Sequence, residues 1–287
     1  MRNLTETNLT DAVLARLSGC TDPRFRQIMH SLVQHLHAFV REVELTEAEW
    51  LQGIQFLTAT GQTCTDKRQE YILLSDTLGV SMLVDAINHR KPAGATETTV
   101  VGPFYVSGAP ELPNASSIAR EAEGEPTFVS GCVLSGEGRP VAGAQLDVWQ
   151  VDSEGFYDVQ RPGYERPELR GKFTTDADGC FRFRTVKPVS YAIPTDGPVG
   201  KMLLRMGRHP YRPAHIHVIV SAPGFEPVTT HLFVEGDPYL DSDAVFGVKN
   251  SLVVEFKQHP PGRAPDGTAM EAPFYTCQYD FRLVKAV

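Results

Sequence analysis

Between Phe25 and Val43 the apolar residues Phe25, Ile28, Met29, Leu32, Leu36, Phe39, Val40 and Val43 recur at three- and four-residue spacing, the period of one helix face. Thr46 and Glu49 form a capping-box pattern ahead of "WLQGIQFL", in which each side chain can reach the other's backbone N–H. Leu74, Leu78, Met82 and Ala86 repeat every fourth residue and predict one further helix from about Asp66 to His89. His30 and His37 lie seven apart beside the first stripe, on a face suited to solvent or to an interface. Pro92 and Gly94 in "RKPAGATETT" end the helical pattern, and beyond them the period falls to two. "PTFVSGCVLSG", "AGAQLDVWQVD", "GKFTTDADGCFRFRTV", "HIHVIVSAPGF", "TTHLFVEGD" and "SLVVEF" are short β-rich runs between turn residues. "TTDADGCFRF" predicts a hairpin turning at Asp178-Gly179, with Phe181 and Phe183 on one face. The fold class expected is α+β: a helical region over residues 1–95, then an antiparallel β-sandwich over residues 96–287.

Composition narrows the classes. The 287 residues are 41% apolar and 22% charged, with a formal net charge of −8. That is an ordinary globular balance, and it lacks the basic concentration that nucleic acid demands. No uncharged run reaches the length of a membrane span. "MRNLTETNLTDAVL" has no continuous apolar core of a secretory signal. Cys20, Cys64, Cys132, Cys180 and Cys277 are scattered and odd in number, a usage expected of reduced thiols in a cytoplasm.

The candidate chemistry begins at "RPAHIHVIV", residues 212–220. Residues two apart on a strand project from the same face, so His215 and His217 point toward one place. The tripeptide alone fits a metal site and a solvent-facing edge strand equally well. Tyr157 follows the strand "QLDVWQV" and Tyr191 follows "FRFRTV", at exits where a rigid scaffold commonly presents functional side chains. Tyr164, Tyr211 and Tyr239 compete with them, and periodicity does not separate the five. Two phenolates and two imidazoles would make a hard, doubly anionic site, suited to a trivalent cation rather than to zinc. Copper is the chemical runner-up.

"VVGPFYVSGAP", "VWQVDSEGFYD", "TVKPVSYAIPTDGP", "GRHPYRPAHIH" and "GDPY", in this order, resemble the intradiol ring-cleavage dioxygenases, and the resemblance covers nearly the whole chain. It implies one ferric ion per subunit, held by Tyr157, Tyr191, His215 and His217. A catechol-type substrate would chelate that ion and displace Tyr191, which accepts a proton as it leaves. With O2 the ring would open between the two hydroxylated carbons. Arg212 matches the family's arginine and would stabilise developing negative charge. His231 stands where the catechol branch is expected to carry glutamine; it is grouped with the residues near the substrate, either as a hydrogen-bond donor behind the ligands or as a packing residue of this branch. The resemblance also implies a homodimer joined through the helical region, sometimes with a phospholipid in an apolar tunnel.

The substrate pocket expected from it comprises Val101, Gly102, Pro103 and Phe104, then Ile193 and Pro194, and the helix bearing Leu73 and Asp76. Leu73 and Asp76 lie three apart and share a helix face. A carboxyl there could accept a hydrogen bond from a third ring hydroxyl, and "LLSDTLGVSMLVD" looks closest to the hydroxyquinol-cleaving branch. Catechol or chlorocatechol is the alternative substrate. A transthyretin-like binding sandwich without chemistry is the alternative class, since a fold does not fix a function.

Overall fold

The computed structural model describes residues 2–66, 68–161 and 166–286; Tyr164 lies outside them. Two compact units are present, Met1–Ala59 and Thr60–Val287. In the first, α1 (Leu9–Ala15) precedes α2 (Pro23–Glu42), and α3 (Glu47–Thr63) continues into the second unit. The Asp22 carboxylate accepts hydrogen bonds from the N–H groups of Arg24 and Phe25 at 2.9 and 3.0 Å, and Pro23 occupies the first turn, so α2 starts where its orphan donors are satisfied. The capping box forms as expected, with Thr46 N–H on Glu49 Oε2 at 3.0 Å and Glu49 N–H on Thr46 Oγ1 at 3.3 Å. No residue of α2 is buried; its apolar stripe faces outward, with Phe25 54% and Leu36 52% exposed.

The second unit corrects the expectation of one helix from Asp66 to His89. Two helices stand there, α4 (Glu70–Thr77) and α5 (Val80–Asn88). Gly79 separates them at φ +73°, a left-handed conformation that only glycine adopts freely. The fourfold repeat crossed that break without registering it.

The strands follow in chain order: β1 (Pro126–Ser135), β2 (Gln145–Trp149), β3 (Arg170–Thr174), β4 (Cys180–Val186), β5 (Tyr191–Ala192), then helix α6 (Pro198–Arg205), β6 (Tyr211–Arg212), β7 (His215–Ser221), β8 (Val228–Val234), β9 (Val253–Val254), β10 (Phe256–His259), β11 (Gly262–Arg263), β12 (Ala269–Met270), β13 (Phe274–Gln278) and β14 (Phe281–Leu283). One sheet runs β10-β13-β1-β14 with β4 also on β1; the other runs β3-β2-β7-β8-β9. Their facing sides share a core that includes Val129, Val133, Leu146, Val148, Phe181, Phe183, Ile216, Val218, Leu232 and Phe281.

Three expectations change here. The pairings β1–β13, β1–β14 and β8–β9 are parallel, so the sandwich is mixed though mostly antiparallel. The Asp178-Gly179 turn joins no hairpin: β3 pairs with β2 and β4 with β1, so the turn carries the chain from one sheet to the other. Phe181 and Phe183 do share the core face. The cysteines are not all free, because Cys132 and Cys180 form a disulfide. They lie 48 residues apart in the chain yet stand directly opposite in the β1–β4 register, a proximity that local spacing cannot reveal. Among the described residues no helix is long and apolar enough to cross a membrane.

Candidate active site

β7 has two different faces. Ile216, Val218 and Val220 enter the sandwich core, so the period-two alternation sends His215 and His217 to the opposite side of the same sheet. The flanking strands complete that face by register. Trp149 of β2 stands opposite His217, and the two rings stack at 4.6 Å with an interplanar angle of 11°. On β8, His231 stands opposite His217 and Phe233 opposite His215. All three imidazoles are buried. His215 Nδ1 lies 2.7 Å from the Pro213 carbonyl; a carbonyl only accepts, so Nδ1 carries the proton and Nε2 keeps its lone pair.

Two loops bring the tyrosines over this face. After β2 the Asp152 carboxylate accepts from the N–H groups of Glu154 and Phe156 at 2.9 and 3.0 Å, which folds the loop back. Asp158, next to Tyr157, is anchored by the buried Arg170, whose Nε lies 2.7 Å from Asp158 Oδ2. Tyr157 stacks on Phe104 at 4.9 Å. Tyr191 in β5 pairs in register with Arg212 in β6. Gly155 lies where a Cβ would meet the Tyr191 Cβ at 2.9 Å, and its φ is +85°; the loop passes the tyrosine only because that residue has no side chain.

The donor atoms converge. Tyr157 Oη lies 3.0 Å from Tyr191 Oη and 2.8 Å from His217 Nε2, and His217 Nε2 lies 3.1 Å from His215 Nε2. Donors about 2 Å from one ion stand about 3 Å apart, so the spacing suits a shared cation. Two hard phenol oxygens with two imidazoles fit a trivalent ion. Burial holds the three imidazoles well below the usual histidine range, helped by Arg212 and, at His217 and His231, by the neighbouring imidazoles. Burial and the neighbouring Tyr191 push the Tyr157 phenol well above its ordinary value, so its ionisation calls for a strong local positive charge. Arg212 is fully buried; burial works against its charge, and the carboxylate of Asp243, 3.1 Å away, more than restores it. Its Nη1 lies 3.3 Å from His215 Nε2.

A cavity of about 1150 Å³ adjoins the cluster and is lined by Asp76, Val101, Gly102, Pro103 and Phe104 among others. Phe104 touches both, and a Cβ on Gly102 would lie 3.4 Å from His217 Cε1. The Asp76 carboxyl is buried, which raises its pKa against the opposing effects of Ser81 and Arg212. Leu73 is buried on the same helix but is not among the cavity's lining residues, and neither are Ile193, Pro194 and His231.

Residues 100–284 match the family model described as a dioxygenase, and residues 22–96 match the catechol dioxygenase N terminus. A 6-chlorohydroxyquinol 1,2-dioxygenase of Cupriavidus pinatubonensis is 53% identical, with 99% of each chain covered. A hydroxyquinol 1,2-dioxygenase of a Rhizobium species is 51% identical over 98% of this chain and 96% of that one. The crystal structure of a hydroxyquinol 1,2-dioxygenase from Pseudomonas putida superposes with a TM-score of 0.91 at 52% identity, covering 98% of this chain and 99% of that one. The chain belongs to the intradiol ring-cleavage dioxygenases.

Members of this family depend on iron, and the cluster His215, His217 and His231 is of metal-binding composition. The structure brings together His215 and His217, which strand spacing pairs, with Tyr157, Tyr191 and Arg212, which the family resemblance adds. Tyr211 instead stacks on Tyr239 at 4.7 Å, apart from the donor run. Sequence reasoning missed Asp243, Asp158 with Arg170, Trp149, and Thr99, whose hydroxyl bonds His231 Nδ1. Only the strand register and loop closure bring these residues to the site, and neither leaves a local sequence signal.

Proposed function

We propose that this dioxygenase cleaves hydroxyquinol, benzene-1,2,4-triol, between its adjacent hydroxylated carbons. Both atoms of O2 enter the product, 3-hydroxy-cis,cis-muconate, the tautomer of maleylacetate, and no outside reductant is required. The observation that carries the reading is the unbroken run of four buried donors, 2.8–3.1 Å apart, beside a cavity holding a buried carboxyl. In this reading Tyr157, Tyr191, His215 and His217 hold one ferric ion per subunit. Bound there, iron supplies the Lewis acidity that draws electron density from a chelated ring and opens it to O2.

The chain's own groups do the rest. Tyr191 Oη sits at one end of the donor run, with His215 beside Arg212 at the other, and accepts a proton from a substrate hydroxyl. Arg212 is held charged by Asp243 and presents a fixed cation to the oxygen-bearing edge of the ring, at no reorganisation cost during reaction. Val101, Pro103 and Phe104 supply apolar walls, and Gly102 lets the backbone approach His217. The Asp76 carboxyl accepts the hydrogen bond of the third hydroxyl, and a site built around such a bond rejects the analogue lacking it. Residues 96–287 form the catalytic domain, and two copies join through residues 1–95; the outward apolar stripe of α2 supports that dimer.

The test compares kcat/KM for hydroxyquinol, catechol and a chlorocatechol in the wild type and in Asp76→Ala. Hydroxyquinol should lead in the wild type, and Asp76→Ala should erase most of that lead. A wild type that favours catechol overturns the substrate; a variant that keeps its discrimination overturns Asp76 as the reader.

A further inference from the structure

We propose that His215, His217 and His231 form a second ligand set: a three-imidazole site for a divalent cation, which competes for the two histidines that the ferric site uses. One ring nitrogen from each of the three lies within 4.8 Å of the others. The rings meet pairwise at centroid distances of 4.1, 4.6 and 4.7 Å. Strand register fixes this arrangement, because His231 on β8 is the direct partner of His217 on β7. His231 Nδ1 is engaged by the Thr99 hydroxyl, and Thr99 is tied to β8 by its N–H on the Thr229 carbonyl at 2.9 Å. That leaves Nε2 as the free donor of His231. It is fully buried and has no hydrogen-bond partner among the described residues, where buried polar nitrogens are ordinarily satisfied.

Three imidazoles with an open fourth position are a recurring zinc-binding geometry, and the divalent affinity order adds cobalt and copper to the ions such a set would hold. A phenol must lose its proton to bind, which a trivalent ion drives more strongly than a divalent one. The chain therefore offers two overlapping choices at one place. A divalent ion takes three imidazoles and leaves Tyr157 and Tyr191 as phenols; a trivalent ion takes two phenolates and two imidazoles. A divalent occupant excludes iron because His215 and His217 belong to both sets. The proposal goes beyond the ring-cleavage reading and does not depend on it.

The probe is Co2+, whose visible d–d bands report coordination number and nitrogen ligation. Metal-free full-length protein should bind one equivalent with the intense bands of a four-coordinate site. His231→Gln should weaken Co2+ at least about tenfold, since loss even of a ligand's outer partner costs that much. Tyr157→Phe should leave Co2+ affinity within about twofold. Ferric loading should show the reverse, with phenolate charge transfer kept in His231→Gln and altered or lost in Tyr157→Phe. Should His231→Gln fail to fold, Thr99→Val releases the ring while keeping the ligand, and should weaken Co2+ by several-fold. Wild-type affinity in the histidine variant, or equal losses in the histidine and tyrosine variants, overturns the proposal. A wild type without ferric charge transfer would count against the ferric reading and leave the cobalt result standing.

Discussion

Two regions of this chain break the ordinary rule of burial in opposite directions. In α2 and the residue that caps it, apolar side chains face outward: Phe25, Ile28, Leu32, Leu36, Phe39, Val40 and the capping Val43 are all exposed. On the outer face of the β7 sheet, polar side chains are shut in: Arg212, His215, His217 and His231 are buried, with Tyr157 and Tyr191 above them. Exposed apolar patches and buried polar groups are the informative departures in any fold. Each names what completes it. A stripe of apolar carbon is completed by another apolar surface, and a run of lone pairs is completed by a cation or by its own hydrogen bonds. The stripe lacks a second face; the cluster carries partial hydrogen bonding and still leaves His217 Nδ1 and His231 Nε2 without partners among the described residues.

The change of largest effect strikes the cluster. Tyr157→Phe keeps the ring that stacks on Phe104 and removes only the donor atom. Iron content and the phenolate charge-transfer band should fall together, with kcat/KM down by at least about 100-fold, beyond the usual cost of disturbing a ligand's outer partner. Tyr211→Phe, in the stacked pair with Tyr239, should change neither. Metal analysis and the visible spectrum decide it, and a Tyr157→Phe protein as red as the wild type would end the ligand assignment.

The Arg212–Asp243 pair comes next. Both members are almost wholly buried, so Asp243→Ala strands a guanidinium away from water. Breaking one side of such a pair costs about 3–5 kcal/mol, to be read from the denaturant midpoint at unchanged slope. A loss below about 1 kcal/mol would mean that solvent reaches Arg212 and that its charge is not held by Asp243.

The helical side is broken by charge. Leu32→Glu with Leu36→Glu places two carboxylates in the α2 stripe, whose residues contribute no buried core. Each leucine buried in an interface is worth about 1.5–3 kcal/mol, so association through the proposed dimer contact should weaken by at least about 100-fold while the fold of each chain persists. Sedimentation velocity over a concentration series measures it. A wild type that sediments as a monomer, or a variant that remains dimeric, removes the stripe from the interface.

The same two regions show what sequence can carry. The stripe of α2, the Thr46–Glu49 capping box of α3, and the alternation of His215 and His217 are each written in neighbouring turns or one strand, where local pattern suffices. What needed coordinates lies between segments. The Cys132–Cys180 bond, the pairing of His217 with Trp149 and His231, and the parallel seats of β13 and β14 on β1 all depend on register across long chain separations. Phe281 and Leu283 of β14 alternate with exposed Arg282, a run too short to predict a strand. The apolar repeat runs straight across Gly79 and conceals the break that its left-handed backbone makes.

The effect least tied to any single side chain is the pH dependence of the metal-free chain. Burial holds His215, His217 and His231 neutral in the fold, below the ordinary value of 6.5. In the unfolded chain each takes a proton as pH falls through about 6.5. The unfolded state then binds more protons than the native state, so stability rises with pH across that window and is lost as pH falls below it. Each histidine contributes on the order of 1 kcal/mol per pH unit there, and the three titrate as a coupled group. Asp76 acts in the opposite sense: burial raises its folded value above 3.8, so its contribution is lost as pH rises from that point, at the acid end of the range. Thermal unfolding of metal-free protein should therefore move to lower temperature between pH 7.5 and pH 5.5. His231→Gln, which removes one of the three groups, should make that decline shallower. A transition temperature that is flat over this interval, or a slope unchanged in His231→Gln, would show that the imidazoles are already hydrated in the native chain and that the cluster is open to water.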